Sequence, residues 1–227
     1  MISQAAEDYL KNIYKLQKGR EANEKVTTSL IAERLEVAAA SATNMIKKLA
    51  EMNLLRHMPY QGVELTEAGK KIALETIRHH RLLELYLSEA LGYPWDEVDA
   101  EADRLEHAIS EEFEDRIDKA LGHPTVGAHG EPIPTKQGDI ARPDYHALSS
   151  LDVGERAVIR QVSDRDPEML RYMVELGLTL GTCVEICEKA PFKGPLRVRI
   201  DSVGEQNLGL EVADHIFVSA SEAGDTT

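Results

Sequence analysis

The chain is poor in cysteine, in aromatic residues and in net positive charge, and it has no long apolar run. Its two cysteines, Cys183 and Cys187, cannot build a disulfide framework. Four residues apart on one apparent strand, they stand about 13 Å from each other, beyond disulfide reach. They read as buried apolar residues of a cytoplasmic chain. No signal peptide precedes Asp8, and no run approaches the roughly eighteen apolar residues needed to span a membrane. The amphipathic segments are therefore core-forming rather than membrane-binding. A net charge of −14 argues at first sight against a nucleic-acid partner. Divided along the chain, the objection disappears: residues 1–72 carry eleven Lys/Arg against nine Asp/Glu, and the remainder fifteen against thirty-one. The base needed to meet phosphates sits in the first third. The length, 227 residues, suits two or three small domains.

Acid and histidine are what the chain has in concentration. In Val98–His107, VDAEADRLEH, Asp99, Asp103, Glu106 and His107 recur at i, i+4, i+7 and i+8, one face of one expected helix. His80 and Glu84, in HHRLLEL, form an i, i+4 pair on the preceding helix. Carboxylates and imidazoles without a thiolate suit Mn²⁺ or Fe²⁺ rather than Cu⁺ or structural Zn²⁺. Most acidic helix faces are merely solvated, so the pattern gains its weight from its neighbours. His79, one residue before the pair, reads as exposed and unrelated. His57, His123, His129, His146 and His215 have no partner at ligand spacing and read as surface or loop residues.

Upstream lies the grammar of a DNA reader. An N-terminal helix, apolar at Tyr9, Leu10, Ile13, Tyr14 and Leu16, is closed by Gly19. A short helix follows, capped by Thr28 or Ser29, with Leu30, Ile31 and Leu35 facing inward. A tight turn at Glu36–Ala39 leads to a second helix from about Ala40 to Met52. There Met45, Ile46 and Leu49 face inward, while Ser41, Thr43, Asn44, Lys47 and Lys48 stay exposed. That is a helix-turn-helix. LLRHMPYQGVELTEAGKK then reads as strand, glycine-containing turn, strand and helix start, the wing of a winged helix.

Towards the other end, EEFEDRIDKALGHP closes a helical region at Gly122 and Pro124. TVGAHGEPIPTKQGDIARPDYH is rich in Gly and Pro and reads as an ordered connector. From Ser150 onward, β-branched runs punctuated by glycine predict five or six short strands around one short helix, a small barrel. SEAGDTT at the end reads as disordered.

The order of EDYLKNIYKL, IAERLEVAAASATNMIKKL, GVELTEAGKKIA, HRLLELYL and DRLEHAIS resembles the DtxR/MntR family of metal-dependent transcriptional regulators. The likeness is strong to about Pro134 and weaker beyond. It implies a mainly α chain with a small β domain: a winged helix-turn-helix DNA-binding domain over residues 1–72, a helical metal-binding and dimerisation domain over 73–143, and an SH3-like or FeoA-like β-barrel over 150–227. It implies a primary, activating metal site of Asp8, Asp103, Glu106 and His107, and an ancillary site of His80, Glu84 and Asp99. A carboxylate from the barrel, Asp166 or Glu168, helps the second site. The family's iron-responsive branch places Met and Cys where this chain has Asp8 and Asp103. Oxygen in place of sulfur favours Mn²⁺, with Fe²⁺ the alternative. Manganese regulators with two closely spaced ions have Glu where this chain has Lys11, which supplies no such ligand; two better-separated sites are implied instead.

The same resemblance sets Ala38, Ala40, Ser41, Thr43 and Asn44 in the major groove. The polar side chains there can meet base edges or phosphate, and the alanines thymine methyls. Lys47 and Lys48 suit phosphate, and Arg56, Tyr60 and Gln61 can touch the backbone from the wing. The sequence thus describes a homodimeric, cytoplasmic repressor of metal-uptake genes that binds double-stranded operator DNA, with the metal as corepressor. An iron regulator of the same architecture is the alternative within the family. A di-metal hydrolase is disfavoured, because no acid or base remains beyond the ligands and an enzyme has no need of a winged helix. A metal-independent repressor, its acidic face mere dimer surface, is the third reading.

Overall fold

Helix α1 (Gln4–Lys18) buries Tyr9, Leu10, Ile13 and Tyr14, the apolar stripe its periodicity predicts. The computed structural model describes residues 2–18, 25–58, 62–164, 166–201 and 203–220, so the expected stop at Gly19 and the terminal SEAGDTT lie outside the described residues. Helix α2 (Thr28–Arg34) is capped by Thr27 rather than Thr28 or Ser29; its hydroxyl accepts from Leu30 N at 3.2 Å. Glu36 then turns left-handed (φ 52°), and Val37 N reaches back to Ala32 O at 2.9 Å. This 6→1 bond satisfies a terminal carbonyl and makes the tight turn. Helix α3 (Ala39–Glu51) packs Ala42, Ile46 and Leu49 inward, with Met45 half-buried. It ends in the same way: Asn53 has φ 57° and Leu54 N donates to Leu49 O at 2.9 Å.

Strands β1 (Leu55–Met58) and β2 (Gly62–Leu65) pair antiparallel, Leu55 opposite Leu65 and Met58 opposite Gly62. Gly62 has φ +91°, and a β-carbon there would press on the Val26 carbonyl. Only glycine meets both demands. Tyr60 and Gln61 lie outside the described residues.

Helix α4 (Glu67–Leu91) runs 25 residues and is followed by α5 (Val98–Leu105) and α6 (Glu111–Ala120). The β region comprises β3 (His146–Ala147), β4 (Arg156–Val162), β5 (Cys183–Lys189), β6 (Leu196–Ile200), β7 (Gly204–Leu208) and β8 (Ile216–Ala220). They form one antiparallel sheet in the order β3-β8-β4-β5-β6-β7. Two helices accompany it where one was expected: α7 (Pro167–Glu175) and the short α8 (Leu210–Asp214). Ile159, Leu170, Met173, Val184, Val198 and Val218 supply its core. Cys183 and Cys187 are free and half-buried rather than buried. They occupy the outward face of β5, and Val184 and Ile186 take the inward one.

The chain forms two compact units. The first comprises residues 1–80, 105–110 and 134–140, and the second 81–104, 111–133 and 141–227. In the second unit the connector is a folded turn. Ile133 N donates to Thr125 O at 2.9 Å, Gly127 N to Glu131 O at 2.8 Å, and Val162 N on β4 to His129 O at 2.9 Å. Gly130 (φ +89°) lies so close to the Arg160 carbonyl that any β-carbon would overlap it. Among the described residues, no helix is long and apolar enough to cross a membrane.

Candidate metal centres and DNA-reading face

Glu106 and His107 do not continue α5. The helix closes at Leu105, and Ala108 N bonds Leu105 O at 2.9 Å in a tight turn. The Glu106 carbonyl is taken by His79 Nδ1 at 3.1 Å, so His79 supports this turn rather than standing apart. The turn aims both side chains at α1. His107 Nδ1 lies 2.6 Å from Glu7 Oε2, and Nε2 lies 2.9 Å from Asp8 Oδ1 and 3.3 Å from Glu106 Oε1. The bond to Glu7 fixes the ring and leaves Nε2 turned towards the oxygens of Asp8 and Glu106.

Glu106 is fully buried and closely partnered. Lys11 Nζ meets its two oxygens at 2.7 and 3.0 Å, and His80 Nδ1 meets Oε2 at 2.7 Å. Burial opposes ionisation of Glu106, yet the His80 hydrogen bond and the Lys11 charge together hold its carboxyl below the ordinary value. Asp8, Glu106 and His107 each offer one ligand atom within 4.8 Å of the others. Two hard oxygens and an imidazole fit a divalent ion such as Mn²⁺ or Fe²⁺. Asp103 lies three residues before Glu106, exposed in the last turn of α5.

In the second unit, ligand atoms of Glu84, Asp99 and Asp164 lie within 4.8 Å of one another. His80, expected with them, stands one helical turn before Glu84 on α4, its Nδ1 committed to Glu106. Asp166 caps α7, accepting from Glu168 N at 2.9 Å and Met169 N at 3.3 Å, and Glu168 is exposed in the first turn. Among the described residues neither joins a carboxylate–histidine group; Asp164, just after β4, does.

His129, read as a surface or loop residue, does lie in the connector loop. Far from being a surface residue, it is wholly buried. Its ring stacks on Trp95 with centroids 5.2 Å apart, and Nε2 donates to the Trp95 carbonyl at 2.9 Å. That bond leaves Nδ1 facing Glu84 Oε1 at 3.4 Å. Burial works against a charged imidazole here, but the Glu84 carboxylate outweighs it and lifts His129 to about 9. Burial, and then the charges of Asp164 and Glu84, push Glu131 up to about 7. The sequence did hold a sign of this corner. In GAHGE, His129 and Glu131 stand on either side of Gly130, a glycine that permits a sharp turn.

On α3, the positions expected to read DNA share one side. Ala38, Ala40, Ser41, Asn44, Lys47 and Lys48 are exposed. Thr43 is half-buried, and its hydroxyl donates to Ala39 O at 2.8 Å. Arg56, on β1, is exposed beside them in the same unit.

A winged helix followed by oxygen- and imidazole-lined centres defines a metal-dependent DNA-binding protein, and the comparisons with known proteins agree. Residues 1–63 match the model for the N-terminal DNA-binding domain of iron-dependent repressors. Residues 66–135 match that family's metal-binding and dimerisation domain, and 146–220 match the FeoA domain. The iron-dependent repressor IdeR of Mycobacterium leprae is 38% identical over 186 residues, 76% of this chain and 79% of the relative. The diphtheria toxin repressor of Corynebacterium glutamicum is 29% identical over 191 residues, 79% and 82% of the two chains. Among solved structures, a manganese-dependent transcriptional repressor in complex with manganese superposes with a TM-score of 0.87 at 39% identity, covering 95% of this chain and all of that one. The manganese regulator SloR gives 0.76 at 32% identity, covering 95% and 98%. The chain belongs to the iron-dependent repressor, or DtxR/MntR, family: it is a metal-dependent, DNA-binding transcriptional repressor with a dimerisation domain, not an enzyme.

Proposed function

We propose that Mn²⁺ is the corepressor, that the protein acts in the cytoplasm as a homodimer on operator DNA, and that it silences metal-uptake genes when Mn²⁺ is plentiful. The observation that carries the metal choice is the first centre, where Asp8, Glu106 and His107 converge without sulfur. Oxygen donors at that place suit Mn²⁺, which gains less from sulfur than Fe²⁺ does. Fe²⁺ is the competing reading, and the name of the mycobacterial relative favours it. The second centre takes Glu84, Asp99 and Asp164 with His129.

Function then divides along the chain into a reader (residues 1–72), a metal and dimerisation region (73–143) and a β domain (150–227). Asp8 belongs to α1, whose apolar face is part of the reader's core. Asp8, Glu106 and His107 would hold the ion, whose positive charge would let them share one centre and so tie the reader's first helix to the turn after α5. It favours DNA binding only as far as it binds the DNA-competent arrangement more tightly. On α3, Ala38, Ala40, Ser41, Thr43 and Asn44 meet the major groove, and Lys47 and Lys48 meet phosphate.

The test is binding of the purified protein to the DNA upstream of its own gene, titrated with Mn²⁺ and, anaerobically, with Fe²⁺. Mn²⁺ is expected to raise affinity at lower free concentration than Fe²⁺, and His107→Ala to abolish the response while the fold is kept. A stronger Fe²⁺ response assigns iron instead. Undiminished activation of His107→Ala overturns the first centre.

A further inference from the structure

We propose that the Lys11 ammonium is a resident cation of the first centre. It neutralises Glu106 while no ion is bound, competes with an incoming ion for that carboxylate, and so sets the metal concentration at which the protein responds. The inference rests on the reading of Asp8, Glu106 and His107 as ligands.

Lysine is among the residues least often buried, yet Lys11 is 5% exposed, on the inner face of α1. Its ammonium spans both oxygens of Glu106, at 2.7 and 3.0 Å. His80 Nδ1 stands 2.7 Å from Oε2, and His107 Nε2 3.3 Å from Oε1. A carboxylate offers about four lone-pair directions, and here four contacts share them. Glu106 can therefore ligate an ion only by giving up or loosening a contact it already has. The ammonium then lies beside a divalent cation in a buried place, where like charges repel far more strongly than in water.

Two effects of opposite sign follow from one side chain. Without an ion, Lys11 keeps a buried carboxylate from standing short of positive charge, and its removal destabilises the fold. With an ion, the same charge opposes binding, and its removal tightens the centre. An ordinary structural ion pair predicts something different: the variant loses stability and binds metal no better, because the ligands are less well placed.

The experiment compares the full-length parent with Lys11→Met and Lys11→Gln. It measures Mn²⁺ affinity by competition with a chelating dye in the absence of DNA, and thermal unfolding of the metal-free protein. Both variants are expected to unfold at lower temperature without metal and to bind Mn²⁺ on the order of tenfold more tightly at the first centre. Glutamine can still donate to Glu106 without a charge, so it carries the test should Lys11→Met fail to fold. Unchanged or weaker Mn²⁺ binding by the folded variant overturns the proposal. His107→Ala separates the two readings. If it lowers the parent's Mn²⁺ binding while the Lys11 variants bind no more tightly, the ligand assignment stands and the role of Lys11 falls; if His107→Ala changes nothing, both fall.

Discussion

At His107, two adjacent carboxylates of α1 divide one ring: Glu7 holds Nδ1 at 2.6 Å and Asp8 faces Nε2 at 2.9 Å. Sequence neighbours thereby acquire different tasks. In the proposed first centre Asp8 would supply an oxygen to the ion, and Glu7 would hold the imidazole at the angle that lets His107 share it. Partners of this second kind cost roughly ten- to a hundredfold in metal affinity when removed. Glu7→Ala is accordingly expected to weaken Mn²⁺ binding at the first centre by that factor while leaving the unfolding temperature of the metal-free protein nearly unchanged. Titration with Mn²⁺ against a competing chelator reads it, and parent-like affinity rejects a positioning role. Glu106 and His107 were legible as candidates through helical spacing and family order, and Asp8 through family order alone. His129 was not. Its partners, Glu84 and Trp95, are far away in sequence, and only the docking of the connector on β4 brings them together. Asp164 was missed for a related reason: an acid just past a strand end looks the same as Asp166 two residues later, until the latter is spent capping α7.

Among the elements, α2, α3 and the β1–β2 pair followed their sequence patterns closely, because apolar period and turn residues are local signals. Helix α5 did not. Nothing in LEHAIS breaks a helix by propensity, and the helix closes at Leu105 as the Glu106 carbonyl turns to His79 and its side chain to Lys11 and His80. Tertiary partners overrode a permissive local sequence. On α3 the division of labour is open to test. Lys47 is exposed a turn beyond the small residues that start the helix, a place suited to phosphate. Lys47→Ala is expected to weaken binding to all sequences and to reduce the salt slope by about one. Asn44→Ala is expected instead to cost about 1–3 kcal/mol of preference between operator and scrambled DNA. Binding curves at several salt concentrations distinguish them. If Lys47→Ala keeps the parent's slope and Asn44→Ala keeps its preference, a different face of α3 meets the groove. On the proposed reading Thr43→Ala is expected to blur preference less than Asn44→Ala, because the Thr43 hydroxyl hydrogen is already given to Ala39 O.

For the molecule as a whole, charge is the organising quantity. The acid concentrated beyond residue 72 includes Glu84, Asp99, Glu131 and Asp164 of the second unit's corner, and a divalent ion there would relieve their mutual repulsion. That corner also contains the one tryptophan of the chain, stacked on His129. Its indole is therefore an optical probe that nature has installed at a single address. Mn²⁺ is paramagnetic and quenches nearby fluorophores, so emission is expected to fall as the second centre fills, and to do so equally in His107→Ala, which lacks the first. The same emission can follow protons. His129 holds its charge up to about pH 9 in place of the usual 6.5, so an ion taking Nδ1 must expel a proton. Half-quenching is expected at progressively lower Mn²⁺ as pH climbs from 6.5 towards 9, and at a constant concentration beyond it. Emission indifferent to Mn²⁺, or a midpoint indifferent to pH, would mean that no ion reaches His129.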